Sequence, residues 1–158
     1  MDEYEVTTSE DNVVLGVMGA MLFSLIGGFM WFVCYKAGIF VSVVGFVAVI
    51  CTNFGYKLFA RGESLRGVVI SVITSVISIV IAWYFCLSLD CYNAYQEWYV
   101  NNEIDYTITF YQAIRNAYKF LQYRDIALSY GGSLILGLVT CGVGALGPIR
   151  KAINRFRY

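Results

Sequence analysis

VVLGVMGAMLFSLIGGFMWFVCY, running from Val13 to Tyr35, carries no charged side chain. At a helical rise of about 1.5 Å per residue it measures about 34 Å, enough to cross a hydrocarbon core of about 30 Å. Three further apolar runs have a similar length: Ile39 to Phe59, Val68 to Leu89 and Ile126 to Leu146. Together they predict an all-α membrane protein with four transmembrane helices, built as a single integral membrane domain over residues 1–158.

Composition agrees. Hydrophobic residues make up 59% of the chain, charged residues only 14%, and the mean hydropathy is +0.65. A soluble domain would lack the polar surface to cover itself, whereas lipid supplies an apolar exterior. The formal net charge is zero, so no basic footprint exists to attract nucleic acid, which is excluded as a partner. Histidine is absent, removing the commonest metal ligand and the usual near-neutral acid or base. No cofactor, metal or catalytic residue is therefore expected. The five cysteines, Cys34, Cys51, Cys86, Cys91 and Cys141, lack CxxC spacing and read as small packing residues. Cys86 and Cys91 also lie near one membrane face, where a disulfide or lipidation is the alternative.

Lys and Arg set the orientation. Lys57, Arg61 and Arg66 surround the second connection and Arg150, Lys151, Arg155 and Arg157 fill the C-terminal tail, so both are expected in the cytoplasm. Four spans then place both termini inside and residues 90–125 outside. The acidic start lacks a signal-peptide n-region, and the first run is expected to be retained as a span. Thr7-Thr8-Ser9-Glu10 reads as a capping box opening the first helix. The basic tail, residues 147–158, alternates basic and bulky apolar side chains, a pattern suited to an anionic inner-leaflet surface or to partner docking.

Small residues recur along the spans: Gly16, Ala20, Ser24 and Gly28 in the first, Ser71, Ser75, Ser78 and Ala82 in the third, Ser133, Gly137 and Cys141 in the fourth. Such tracks let helices approach closely where lipid provides no hydrophobic drive. Folding the second and third spans about Ser64 sets Asn53 level with Ser75 and Lys57 level with Ser71. With Thr74 these form a candidate polar cluster, read first as a hairpin-register device and second as part of a solute path.

Between spans three and four, Tyr92, Tyr95 and Tyr99 follow helical spacing until Asn101-Asn102-Glu103 breaks it. From Thr109 to Gln122, Phe110, Ala113, Ile114, Ala117 and Leu121 share one helical face, while Gln112, Arg115, Asn116 and Lys119 fall elsewhere. An external amphipathic, interfacial helix is expected here, with a partner- or ligand-binding cap as the alternative. Asp90, Glu97, Glu103 and Asp105 read as a solvated acidic surface.

The stretch from Gly16 to Gly67 resembles a family of small multipass membrane proteins of Firmicutes. The likeness rests on the glycine-rich first span ending in Trp31, on Lys36-Ala37-Gly38-Ile39, on Gly45, and on Gly55-Tyr56-Lys57-Leu58-Phe59 followed by Gly62 and Gly67. Tyr106 to Tyr118, with Phe110-Tyr111-Gln112-Ala113, is similar as well. The resemblance implies a bacterial four-span membrane protein and transfers no catalytic residue. A structural or interaction subunit of a membrane assembly is the expected function. Its partners would be the bilayer and either a second copy or another membrane protein. A small oligomeric channel or transporter, lined by the Ser/Thr face of the third span, is the alternative, ahead of a lipid-acting enzyme.

Overall fold

The computed structural model describes residues 12–37, 42–62 and 64–155. Five helices form among them: α1 (Val13–Lys36), α2 (Ser42–Ala60), α3 (Leu65–Val100), α4 (Phe110–Phe120) and α5 (Arg124–Arg155). α1, α2, α3 and α5 are each long and apolar enough to cross a membrane, the organisation of a multipass protein. Their outward faces are apolar, with Met18, Leu25 and Phe29 on α1, Ile73, Ile77 and Ile81 on α3, and Ile135, Val139 and Val143 on α5 all exposed. Lipid is the solvent that suits such a surface.

Local chemistry fixes the helix ends. The Asn12 side chain accepts from the Leu15 amide and caps α1. The capping box expected at Thr7 to Glu10 lies outside the described residues, as do Ile39 at the head of the second run and the end of the tail at residues 156–158. α2 stops at Arg61, whose φ of 56° is left-handed. Ser64 then caps α3 by accepting from the Gly67 amide at 3.0 Å. At the other end of α3, Asn102 has φ 57°. The Glu103 amide donates to Trp98 O and the Asn102 amide to Tyr99 O, closing the helix with a Schellman motif where the sequence pattern breaks.

Two helices outrun their apolar stretches. α3 has 36 residues, about 54 Å long, and continues past Leu89 because its Tyr92, Tyr95 and Trp98 rings find partners in Phe110 and Phe120 of α4. α5 runs on past the apolar stretch that ends at Leu146, through Pro148 to Arg155. Proline removes one backbone hydrogen bond, but Ala145 and Ala152 are buried on either side and Ile149 packs on the core, so tertiary contact holds the helix.

α2 is the most enclosed spanning helix. It packs on α1, α5 and α3, while α1 and α5 lie across the bundle from one another. At the α1–α2 crossing, Gly19 and Gly55 face each other so closely that a Cβ on either would come within 3.0 Å of the other's carbonyl oxygen. Tyr56, 1% exposed, lies between Gly16 of α1 and Gly67 of α3, each bare of Cβ where the ring sits. Towards the opposite end, Gly45 meets the Gly137 carbonyl, and Gly137 meets the Trp31 ring. Trp31, fully buried, anchors a core with Val44, Val49, Ile79, Cys86 and Cys141. All five cysteines are free thiols, including Cys86 and Cys91.

Candidate functional site

The spans spend most of their hydroxyls on their own backbones. Ser71 donates to Gly67 O, Thr74 to Ile70 O, Ser75 to Ser71 O and Thr52 to Ala48 O, all at 2.8 Å. Three members of the candidate polar cluster, Ser71, Thr74 and Ser75, are thus engaged by carbonyls of α3 itself. Ser75 reaches α2 at Ala48 O, 3.5 Å away, and Gly67 faces Tyr56, so the hairpin turns near Gly62 and not at Ser64, which is occupied in capping α3. Asn53 is buried with its Oδ1 unpartnered.

Of the small-residue tracks, Gly16, Ala20 and Ser24 are buried in α1, Ser71 and Ser75 in α3, and Gly137 and Cys141 in α5. Gly28 sits against Ser78, whose hydroxyl donates to Ser24 O at 2.7 Å and ties α3 to α1. The Cys141 thiol donates to Gly45 O across α5 and α2. Ser133 is only partly buried and donates within its own helix to Tyr130 O.

The densest polar constellation centres on Asp90, one residue beyond the apolar run 68–89. Its Oδ2 accepts from Tyr130 Oη of α5 at 2.5 Å and from Tyr35 Oη of α1 at 2.8 Å. Its Oδ1 accepts from Lys36 Nζ at 3.0 Å. One carboxylate thus joins three spanning helices at one end of the bundle. The Tyr35 and Tyr130 rings lie 5.9 Å apart, and Trp83 Nε1 donates to Tyr130 O at 2.9 Å, holding the tyrosine in place. Lys36 sits in the last turn of α1, where the helix dipole favours a cation. Partial burial pushes the Asp90 carboxyl up, but donation from Tyr130, Lys36 and Tyr35 and the Lys36 charge outweigh it and leave the group below its ordinary 3.8. It carries charge and not an exchangeable proton at neutral pH, which suits a clamp better than a general acid or base.

The sequence reading placed Asp90 on a solvated surface. The signal was present: Lys36 and Asp90 each follow an apolar run by one residue, and two spans crossing in the same direction bring both to one face. Ion-pair complementarity at matched depth would have found it.

Beyond this clamp, α3 and α4 build a cap. Thr109 and Gln112 form a reciprocal capping box at the start of α4. Ala113 and Ala117 are fully buried, and Tyr84 Oη donates to Ile114 O at 2.6 Å, so the apolar face of α4 packs on α3. Phe110, Ile114 and Leu121 of that face are partly buried. A cavity of about 400 Å³ opens between the two helices, lined by Tyr95, Tyr106, Thr107, Gln112, Asn116 and Lys119 among others. Burial raises the Tyr95 hydroxyl above its ordinary value. No cluster of three His, Cys, Asp or Glu with metal-ligand geometry occurs among the described residues. Comparison of the chain with protein-family models, curated proteins and solved structures yields no match.

Proposed function

We propose that this protein is an interaction subunit of a membrane assembly, acting through contacts in the bilayer and through its cap, without bond-making chemistry of its own. The observation that carries this reading is the cap's outer surface. Tyr99, Val100, Tyr106, Tyr111, Tyr118 and Tyr123 are all exposed there, Val100 at 74% and Tyr111 at 67%. Tyrosine-rich apolar surface with polar edges is what protein interfaces favour. Within the spans, by contrast, the hydroxyls are turned onto helix carbonyls, which supports packing and gives an ion or solute little to follow.

The Lys/Arg distribution supports both termini in the cytoplasm and the cap, including interfacial α4, outside, and the resemblance to small multipass proteins of Firmicutes supports a bacterial cell membrane. An impermeant thiol reagent on intact cells is expected to label a cysteine introduced at Asn101 and not one at Ser64. The reverse pattern would invert the topology.

A photo-crosslinking residue at Tyr111 or Tyr118 is expected to give discrete protein adducts in native membranes, whereas one at Ile77 should give lipid adducts only. Specific, saturable flux through the purified protein in liposomes, abolished by Asn53→Ala or Ser75→Ala, would replace this reading with the channel.

A further inference from the structure

The cavity of about 400 Å³ in the cap lies between the end of α3 beyond its apolar run, the connection that follows and α4. Its volume falls in the range of small-ligand clefts, about 300–1,000 Å³. Tyr95, Tyr106 and Phe120 supply aromatic walls, with the Tyr95 ring centred 6.3 Å from that of Tyr106 and 6.0 Å from that of Phe120. Gln112, Asn116 and Lys119 recur at i, i+4 and i+7 and so bring their polar ends to one side of α4. Two hydrogen bonds orient the amides. Gln112 Oε1 accepts from the Thr109 amide at 2.9 Å, and Asn116 Nδ2 donates to Gln112 O at 2.9 Å. Gln112 Nε2 and Asn116 Oδ1 are the amide atoms left for an occupant, one a donor and the other an acceptor. Lys119 adds a positive charge, and no acidic side chain is among the described lining residues.

We infer that this cavity binds a sugar ring, and an acidic sugar in preference to a neutral one. A pyranose matches both halves of the lining. Its C–H face is apolar and carries partial positive charge, which suits the negative face of a tyrosine or phenylalanine ring. Its hydroxyls both donate and accept, so one ring can satisfy Gln112 Nε2 and Asn116 Oδ1 together. A carboxylate on that ring would accept a charge-assisted hydrogen bond from Lys119. A purely apolar ligand would strip water from the two amides without replacing it, and a cationic one would be repelled by Lys119. Tyr111 and Tyr118 do not line the cavity, so the sugar site stands apart from the partner-crosslinking positions proposed above. The recognition is the same whether the ring is free, part of a polymer or the head of a glycolipid.

The test uses the full chain in phosphatidylcholine nanodiscs, with saturation-transfer-difference NMR reading methyl glucuronide, methyl glucoside, which lacks the acid, and cyclohexanecarboxylate, which lacks the hydroxyls. Saturable binding of the glucuronide is expected, weaker saturable binding of the glucoside, and none of cyclohexanecarboxylate. Tyr106→Ala should weaken both sugars about two- to ten-fold, the scale of one aromatic contact. Tyr106 is 59% exposed, so its truncation should leave the fold intact. Lys119→Gln should remove the preference for glucuronide over glucoside. Arg115→Gln, the same charge change at an exposed position of α4 outside the cavity, should preserve it. Doping the nanodiscs with glucuronosyl diacylglycerol separates the sources: loss of the free-glucuronide signal identifies a lipid-borne ring as the ligand, and an unchanged signal a free or polymeric one. Failure of the wild type to bind either sugar would overturn the inference without reliance on any variant. Equal binding of cyclohexanecarboxylate and the glucuronide would also overturn it, assigning the cavity to an apolar acid such as a peptide C-terminus.

Discussion

Gly19→Ala is expected to lower the stability of the bundle by about 1–3 kcal/mol, the range for forcing extra volume into a packed contact. The added methyl would meet the Gly55 carbonyl oxygen and the Phe59 side chain within 3.0 Å. One obstacle is backbone, which cannot rotate away, so α1 and α2 must separate along the most extensive helix contact in the molecule. Gly55→Ala should behave alike, because its methyl would strike Gly19 O and Phe23. The double variant should cost less than the sum, since helices already displaced by one methyl have room for the other. Gly142 provides the control: a Cβ there meets nothing within 4 Å, and alanine should be neutral or stabilising by about 0.5–1 kcal/mol through helix propensity. Unfolding midpoints in detergent decide the matter, and equal shifts for Gly19→Ala and Gly142→Ala would show that the crossing is not closely packed.

These two glycines also mark where reading the sequence stops. The apolar runs show which segments are membrane-compatible, because a charge-free stretch of about 20 residues has few other uses. They do not show how each helix is rotated about its axis. In water an amphipathic stripe reveals the buried face, but in lipid both faces are apolar, and exposed Leu25 and Phe29 are as hydrophobic as buried Trp31. Small-residue spacing partly replaces the missing stripe. It picks out Gly16, Ala20, Ser24 and Gly137, the last pressed on Trp31, yet it overlooks Gly19 and Gly27, which face α2, and it includes Ser133, which is only partly buried.

The hairpin register shows a second limit. Setting the turn at Ser64 treats a polar residue as a loop centre, whereas its side chain serves as the cap of α3, and the pairing moves accordingly. α4 was easier to read because it has polar as well as apolar faces, so its period of 3.6 is visible. Its docking on α3 was not, since helical spacing through Tyr99 lets α3 extend past its apolar run without showing which face α4 meets. The clamp at Asp90 escaped because its members come from three helices, and only their common depth in the membrane connects them.

Asp90→Asn tests that clamp. The amide keeps the shape of the carboxylate but loses the charge, and its nitrogen cannot accept from a tyrosine. A hydrogen bond to a charged group is worth about 1.5–3 kcal/mol, and the Tyr130 contact, short and backed by Trp83, should yield a loss of that order. Lys36 contributes less, because its side chain is 40% exposed and water screens the pair. Tyr130→Phe in the Asp90→Asn background should then add little, the mark of two groups sharing one interaction. Acid offers an independent check. The folded carboxyl lies below 3.8, so its stabilisation is complete above that pH and disappears as pH falls through the folded value. Wild-type melting in detergent should therefore decline below pH 3.8 more steeply than that of Asp90→Asn. Cap function should follow. Asp90 fixes α3 to α1 and α5 immediately below the segment that carries α4, so loosening it should reduce partner crosslinking from Tyr111 even at temperatures where the spans remain folded. If Asp90→Asn matched the wild type in neutral melting, acid slope and crosslinking, the three contacts would be incidental surface pairing, and the cap would owe its position to aromatic packing along α3 alone.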